Sequence, residues 1–156
     1  MKGNKKLLDA MNHLLSMELA AVNQYVVHAE MCENWGYEGL QKSIMARTVE
    51  EMKHAEKLIA RILFMEGTPV VNRLAPIKIG ADVPKQFASD HAAELGAVET
   101  YNAAIKLAVE VGDNATRELL EGILHDEDRH VDDIEAKQDQ IGQLGVQMFL
   151  SQQIKE

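Results

Sequence analysis

Two short segments, Glu51-Met52-Lys53-His54 and Glu127-Asp128-Arg129-His130, share the pattern Glu-x-x-His. On a helix, positions three apart lie on one face, so each segment aims a carboxylate and an imidazole at one point. Glu18 and Glu94 each stand the same distance before one of these motifs. Their surroundings match as well. Glu18-Leu19-Ala20-Ala21-Val22-Asn23-Gln24-Tyr25 and Glu94-Leu95-Gly96-Ala97-Val98-Glu99-Thr100-Tyr101 agree at five of eight positions, at an offset of 76 residues. That offset also carries Glu51 onto Glu127, Lys53 onto Arg129 and His54 onto His130. The internal repeat is densest around the polar residues.

Four carboxylates brought together away from water would repel one another or take up protons. Two divalent cations would cancel their charge. A mixed set of carboxylates and imidazoles suits iron or manganese better than magnesium, which prefers oxygen alone, or structural zinc, which favours thiolates. One Glu-x-x-His on a helix is common and usually solvated. Two, each paired with an upstream Glu on an apolar stripe, point to a di-metal centre of Glu18, Glu51, His54, Glu94, Glu127 and His130.

The elements that must position them are helices. Four long periodic segments run from about 5 to 34, 38 to 66, Pro84 to Gly112, and Asp113 or Asn114 to Gly142–Gly145. A short tail helix is expected over about 146 to 154. The one long connection, Thr68 to Pro84, holds all three prolines. Short joins make antiparallel neighbours, and the long one can return the chain along the bundle. The first stripe reads Met11, Leu15, Glu18, Val22, Tyr25, Ala29 and the second Ile44, Thr48, Glu51, Ala55, Leu58, Ile62, Met65. The third reads Phe87, His91, Glu94, Val98, Tyr101, Ile105, Ala108 and the fourth Leu120, Ile123, Glu127, His130, Ile134, Ile141. Every stripe contains a carboxylate where a core residue belongs.

Tyr25 and Tyr101 read as core residues, Tyr25 with the option of a hydrogen bond to a ligand carboxylate. His13, His28, His91 and His125 read as surface or internally satisfied groups that form no second cluster. Met45, Val49, Met52, Ile59 and Leu63 form a second apolar face on the second helix, which implies a partner surface. Periodicity reads Met52 as interface packing.

Composition agrees with one all-α domain over residues 1–156, with 46% hydrophobic, 26% charged and 4% aromatic residues. The net charge of −9 argues against a nucleic-acid partner. The single Cys32 excludes an internal disulfide and fits a reducing compartment. The N-terminus lacks the apolar run of a secretory leader, and no 18-residue apolar stretch exists, so a cytoplasmic chain without a membrane anchor is expected.

Over essentially its full length the chain resembles the bacterioferritin family. The resemblance rests on the six ligand candidates, the Glu51-Met52-Lys53-His54 segment, the Arg61-Ile62-Leu63-Phe64-Met65-Glu66-Gly67 helix end and the closing Gly145-to-Ile154 segment. It implies a ferritin-like four-helix bundle with one long crossover and a short fifth helix, and a cage of twenty-four copies built from dimers. It also implies two irons per subunit, bridged by Glu51 and Glu127. There Fe(II) is oxidised by oxygen or hydrogen peroxide before storage as ferric mineral. By the same resemblance Met52 becomes the axial ligand of haem b, or a related iron porphyrin, at the dimer interface. That haem admits electrons, often from a small ferredoxin, for iron release. Several members carry a histidine and an acidic residue on the inner face of the second helix as an extra iron site; here the acidic Glu50 remains, but Ala46 cannot ligate. The rival expectations are a di-iron peroxidase or oxidase without storage, a haem-binding electron carrier, and a plain structural bundle.

Overall fold

The computed structural model describes residues 1–154. Four long helices, α1 (Lys5–Asn34), α2 (Glu38–Phe64), α3 (Val83–Glu110) and α4 (Asn114–Leu144), are followed by the short α5 (Val146–Ser151). Three of the starts are capped by side chains. Asn4 accepts from the Leu7 N–H, Asp82 from Lys85 and Asp113 from Thr116, so otherwise orphaned amides are satisfied. Pro84 stands in the first turn of α3, where its missing N–H costs nothing.

Two tight joins set the pairing. Gly36 (φ 86°) and Gly112 (φ 75°) take left-handed backbone after α1 and α3, and the chain reverses at once. Hence α1 packs against α2, and α3 against α4. Three helix ends fall short of the periodic reading, α3 stopping at Glu110 before the left-handed Gly112. The second helix ends at Phe64 rather than 66, because Glu66 itself takes a positive φ of 61°. The tail helix ends at Ser151 rather than 154.

The connection between α2 and α3 is laid along α1 by hydrogen bonds at successive depths. Asn12 bonds Thr68 O and Val70 N, Ser16 O accepts from Ala75 N, Gln24 accepts from Lys78 N, and His28 Nε2 accepts from Gly80 N. Backbone that lacks regular structure is thereby satisfied. Gly80 has no substitute there, since a Cβ would collide with the backbone of Gln86.

Two apolar clusters flank the middle of the bundle. One is built around Leu7, Met11, Leu58, Ile62, Tyr101 and Leu120. The other gathers Tyr25, Ala29, Leu40, Ile44, Phe87, Ile134 and Phe149. The four core carboxylates lie between them along the helices. No helix among the described residues is long and apolar enough to cross a membrane.

Candidate metal centre

Each long helix contributes to one buried cluster. Glu18 comes from α1, Glu51 and His54 from α2, Glu94 from α3, and Glu127 and His130 from α4. All six are at most 2% exposed. Glu18, Glu51, His54 and Glu127 offer ligand atoms within 4.8 Å of one another, and so do Glu51, Glu94, Glu127 and His130. Glu51 and Glu127 belong to both groups, which is the arrangement of two adjacent positions sharing two carboxylates. The imidazole centroids stand 6.2 Å apart.

The donor atoms fit cations better than they fit one another. His54 Nδ1 lies 2.9 Å from Glu127 Oε1 and 3.5 Å from Glu18 Oε2, while His130 Nδ1 lies 2.8 Å from Glu51 Oε1 and 3.3 Å from Glu94 Oε1. Yet Glu18 Oε2, Glu51 Oε1, His54 Nδ1, Glu94 Oε2, Glu127 Oε1 and His130 Nδ1 make no hydrogen bond. Among the described residues these are the buried side-chain nitrogen and oxygen atoms left unpaired, and they come one from each member of the cluster. Such atoms are costly unless a ligand satisfies them. Burial, with the charges of Glu18 and Glu94 beside them, holds the Glu51 and Glu127 carboxyls well above the usual carboxylate range. Those charges are a further sign that the set is built for a positive centre.

The remaining atoms of the cluster are held from outside. Tyr101 donates to Glu18 Oε1 and Tyr25 to Glu94 Oε1, both at 2.6 Å. His54 Nε2 lies 2.8 Å from Asp126 Oδ2, and His130 Nε2 lies 2.8 Å from Glu50 Oε2. A carboxylate only accepts, so each Nε2 carries a proton and Nδ1 is the nitrogen turned toward the centre. Arg129 reaches both outer carboxylates, Glu50 at 2.7 Å and Asp126 at 3.4 Å. Partial burial opposes the charge of each, but Arg129 and the histidines hold both carboxyls below their usual range. A cavity of about 190 Å³ runs from Glu18, Glu51, Glu94 and Glu127 to Ala75 and Pro76 in the long connection.

All six residues that the sequence singled out come together. Tyr25 bonds a cluster carboxylate, and Tyr101, read as core, does so too. Asp126 had no assigned role in the sequence reading, and Glu50 entered it only as the acidic residue left beside Ala46 on the inner face. Their signal was available, because the offset that relates the two motifs also relates Glu50 to Asp126. His28 is fully buried and satisfied, donating from Nδ1 to Asp90 while Nε2 accepts from Gly80. Arg47 and Gln24 complete that network on Asp90. His91 pairs with Glu135. Met52 lies away from the cluster, 41% exposed, beside the equally open Val49.

The bundle and the cluster define a ferritin-like chain, and a family model described as Ferritin-like domain matches residues 8–144. The Brucella melitensis bacterioferritin is 35% identical, covering 96% of this chain and 92% of the relative. The Mycolicibacterium paratuberculosis bacterioferritin is 36% identical over 97% and 96%, and the Rhodobacter capsulatus one 38% over 96% and 92%. This chain belongs to the bacterioferritin family.

Proposed function

We propose that this chain is a ferroxidase of an iron-storage assembly. Fe(II) is its substrate, oxygen or hydrogen peroxide its oxidant, and a ferric mineral its product. The observation that carries this reading is the set of six unpaired buried donor atoms, contributed one each by Glu18, Glu51, His54, Glu94, Glu127 and His130. These residues would hold two irons side by side, with Glu51 and Glu127 shared. Anionic oxygen donors favour Fe(III) over Fe(II), so the site favours oxidation. Two adjacent irons together supply the two electrons that carry oxygen to the level of peroxide.

The chain's own groups keep that site ready. Tyr101 and Tyr25 fix one oxygen of Glu18 and of Glu94 and leave the other facing inward. Asp126 and Glu50 fix the imidazole tautomers. Burial keeps the six donors out of bulk solvent.

The whole chain is taken as one domain, assembled in the cytoplasm into a cage of twenty-four copies built from dimers. The exposed thioether of Met52 would ligate haem b, or a related porphyrin, where two copies meet. Its apolar neighbours Val49, Leu63 and Phe64 are exposed in the single chain, which supports a partner on this face. When bound, the haem supplies one-electron transfer, fed by a small ferredoxin.

The test is a stepwise titration of the metal-free protein with Fe(II) in air, following ferric absorbance. Absorbance that climbs well past about two irons per chain in a clear solution is the expected result. Saturation near two would overturn storage and leave a di-iron peroxidase or oxidase. Native mass supplies the second check, since a cage is far heavier than an enzyme dimer.

A further inference from the structure

We propose that Arg129 is a positioning residue for the metal centre. By binding Glu50 and Asp126 at once, it locks the outer nitrogens of both histidines and sets how slowly the centre releases its metals. The inference rests on the di-metal reading above and deepens it.

The outer hydrogen bonds cross between helices. His54 on α2 donates to Asp126 on α4, and His130 on α4 donates to Glu50 on α2. Each imidazole is therefore oriented by the helix that faces its own. Neither carboxylate is itself well enclosed, for the side chains of Glu50 and Asp126 are 33% and 36% exposed. Left alone, a carboxylate at such exposure swings into water and frees the imidazole behind it. Arg129 Nη2 prevents this at both positions, at 2.7 Å from Glu50 Oε2 and 3.4 Å from Asp126 Oδ1. The Glu50 oxygen that it binds is the one that accepts from His130. A guanidinium is planar and carries several donors in a rigid fork, so one group can hold two acceptors on different helices.

A metal leaves such a site when its histidine turns away. Turning breaks the Nε2–H bond to the carboxylate, and the guanidinium resists that at both histidines through one cation. The internal repeat supplies a comparison. The residue related to Arg129 is Lys53, which is exposed and makes no ion pair among the described residues. The clamp is therefore single, and both halves of the centre depend on it.

The experiment loads the metal-free assembled protein with Co(II), whose visible bands report its coordination, and chases with excess EDTA. Arg129→Gln should release both cobalt ions on the order of 10-fold faster than the unsubstituted protein, the scale on which outer partners of ligands act. Arg129→Lys should fall between the two, and Lys53→Gln should leave the rate unchanged. Release from Arg129→Gln within twofold of the unsubstituted protein, at unchanged helicity and melting temperature, would overturn the proposal. So would acceleration of one cobalt alone, or equal acceleration by Lys53→Gln, which would make bulk charge the cause. If the unsubstituted protein takes up no stoichiometric Co(II), the di-metal reading itself fails. If it binds two and Arg129→Gln holds them normally, only the clamp fails.

Discussion

The hydroxyl of Tyr101 on α3 donates to Glu18 Oε1 on α1 at 2.6 Å, across the width of the bundle. The bond leaves Glu18 Oε2 unpaired and turned toward the cluster. Tyr25 does the same for Glu94 from the opposite side. Tyr101→Phe removes the donor and strands a buried carboxylate oxygen, at a cost of about 1–3 kcal/mol. Thermal melts of the metal-free protein should register that loss, and Tyr25→Phe should give a comparable one. An unchanged melting temperature for both variants would mean that neither bond fixes its carboxylate.

Glu127 illustrates a conflict between stability and chemistry. Its carboxyl is buried and crowded by Glu18, Glu51 and Glu94. Glu127→Gln removes one ionisable group from that crowd, so the metal-free protein should melt a few degrees higher. The same change should slow Fe(II) oxidation by at least about 100-fold, because a shared ligand matters more than an outer partner does. Oxidation at the normal rate would remove Glu127 from the centre.

Protons and metals compete for the same atoms. Burial and neighbouring carboxylates raise Glu51 and Glu127 well above their usual range, so the metal-free fold holds protons that the unfolded chain releases. That contribution is complete below the unfolded value of about 4.3 and is lost as pH rises through the raised folded value. Metal takes over where the protons leave. The gain in melting temperature on adding Co(II) should therefore grow from about pH 5 to about pH 8, with protons released on binding. A gain that shrinks over this range would contradict the assignment.

Met52 and Glu51 are adjacent in sequence but differ in exposure, the thioether being 41% exposed and the carboxylate 1%. Substitution on the outer face should spare the inner chemistry. Met52→Leu is expected to lose the haem Soret band and keep Fe(II) oxidation at its normal rate. A retained band would transfer the haem to another ligand.

The buried cluster was legible because a carboxylate on an apolar stripe breaks a pattern, and the same break recurs at Glu18, Glu51, Glu94 and Glu127. Tyr101 was harder. An aromatic on a stripe looks like core, and only its distance to Glu18 shows what the hydroxyl does. Glu50 and Asp126 sit beside cluster residues at half-exposed positions, where acidic residues are ordinary. The repeat pairs the two positions, but their crossing between α2 and α4 is a tertiary relation that the repeat alone does not show. The network of His28, Asp90, Arg47 and Gln24 joins three helices and was hidden for the same reason. Helix ends were read to within a few residues, the limit at which capping geometry takes over from periodicity.

The repeat at an offset of 76 divides the donors evenly. The α1–α2 hairpin owns Glu18, Glu51 and His54, and the α3–α4 hairpin owns Glu94, Glu127 and His130. Neither half carries all six donors alone. The long connection adds no donor of its own. What it contributes is proximity: it turns the meeting of two half-sites from an encounter in solution into one within a single molecule. A chain cut in that connection would therefore carry two fragments with complementary half-sites, each lacking what the other supplies, and the metal pair would be the rivet between them.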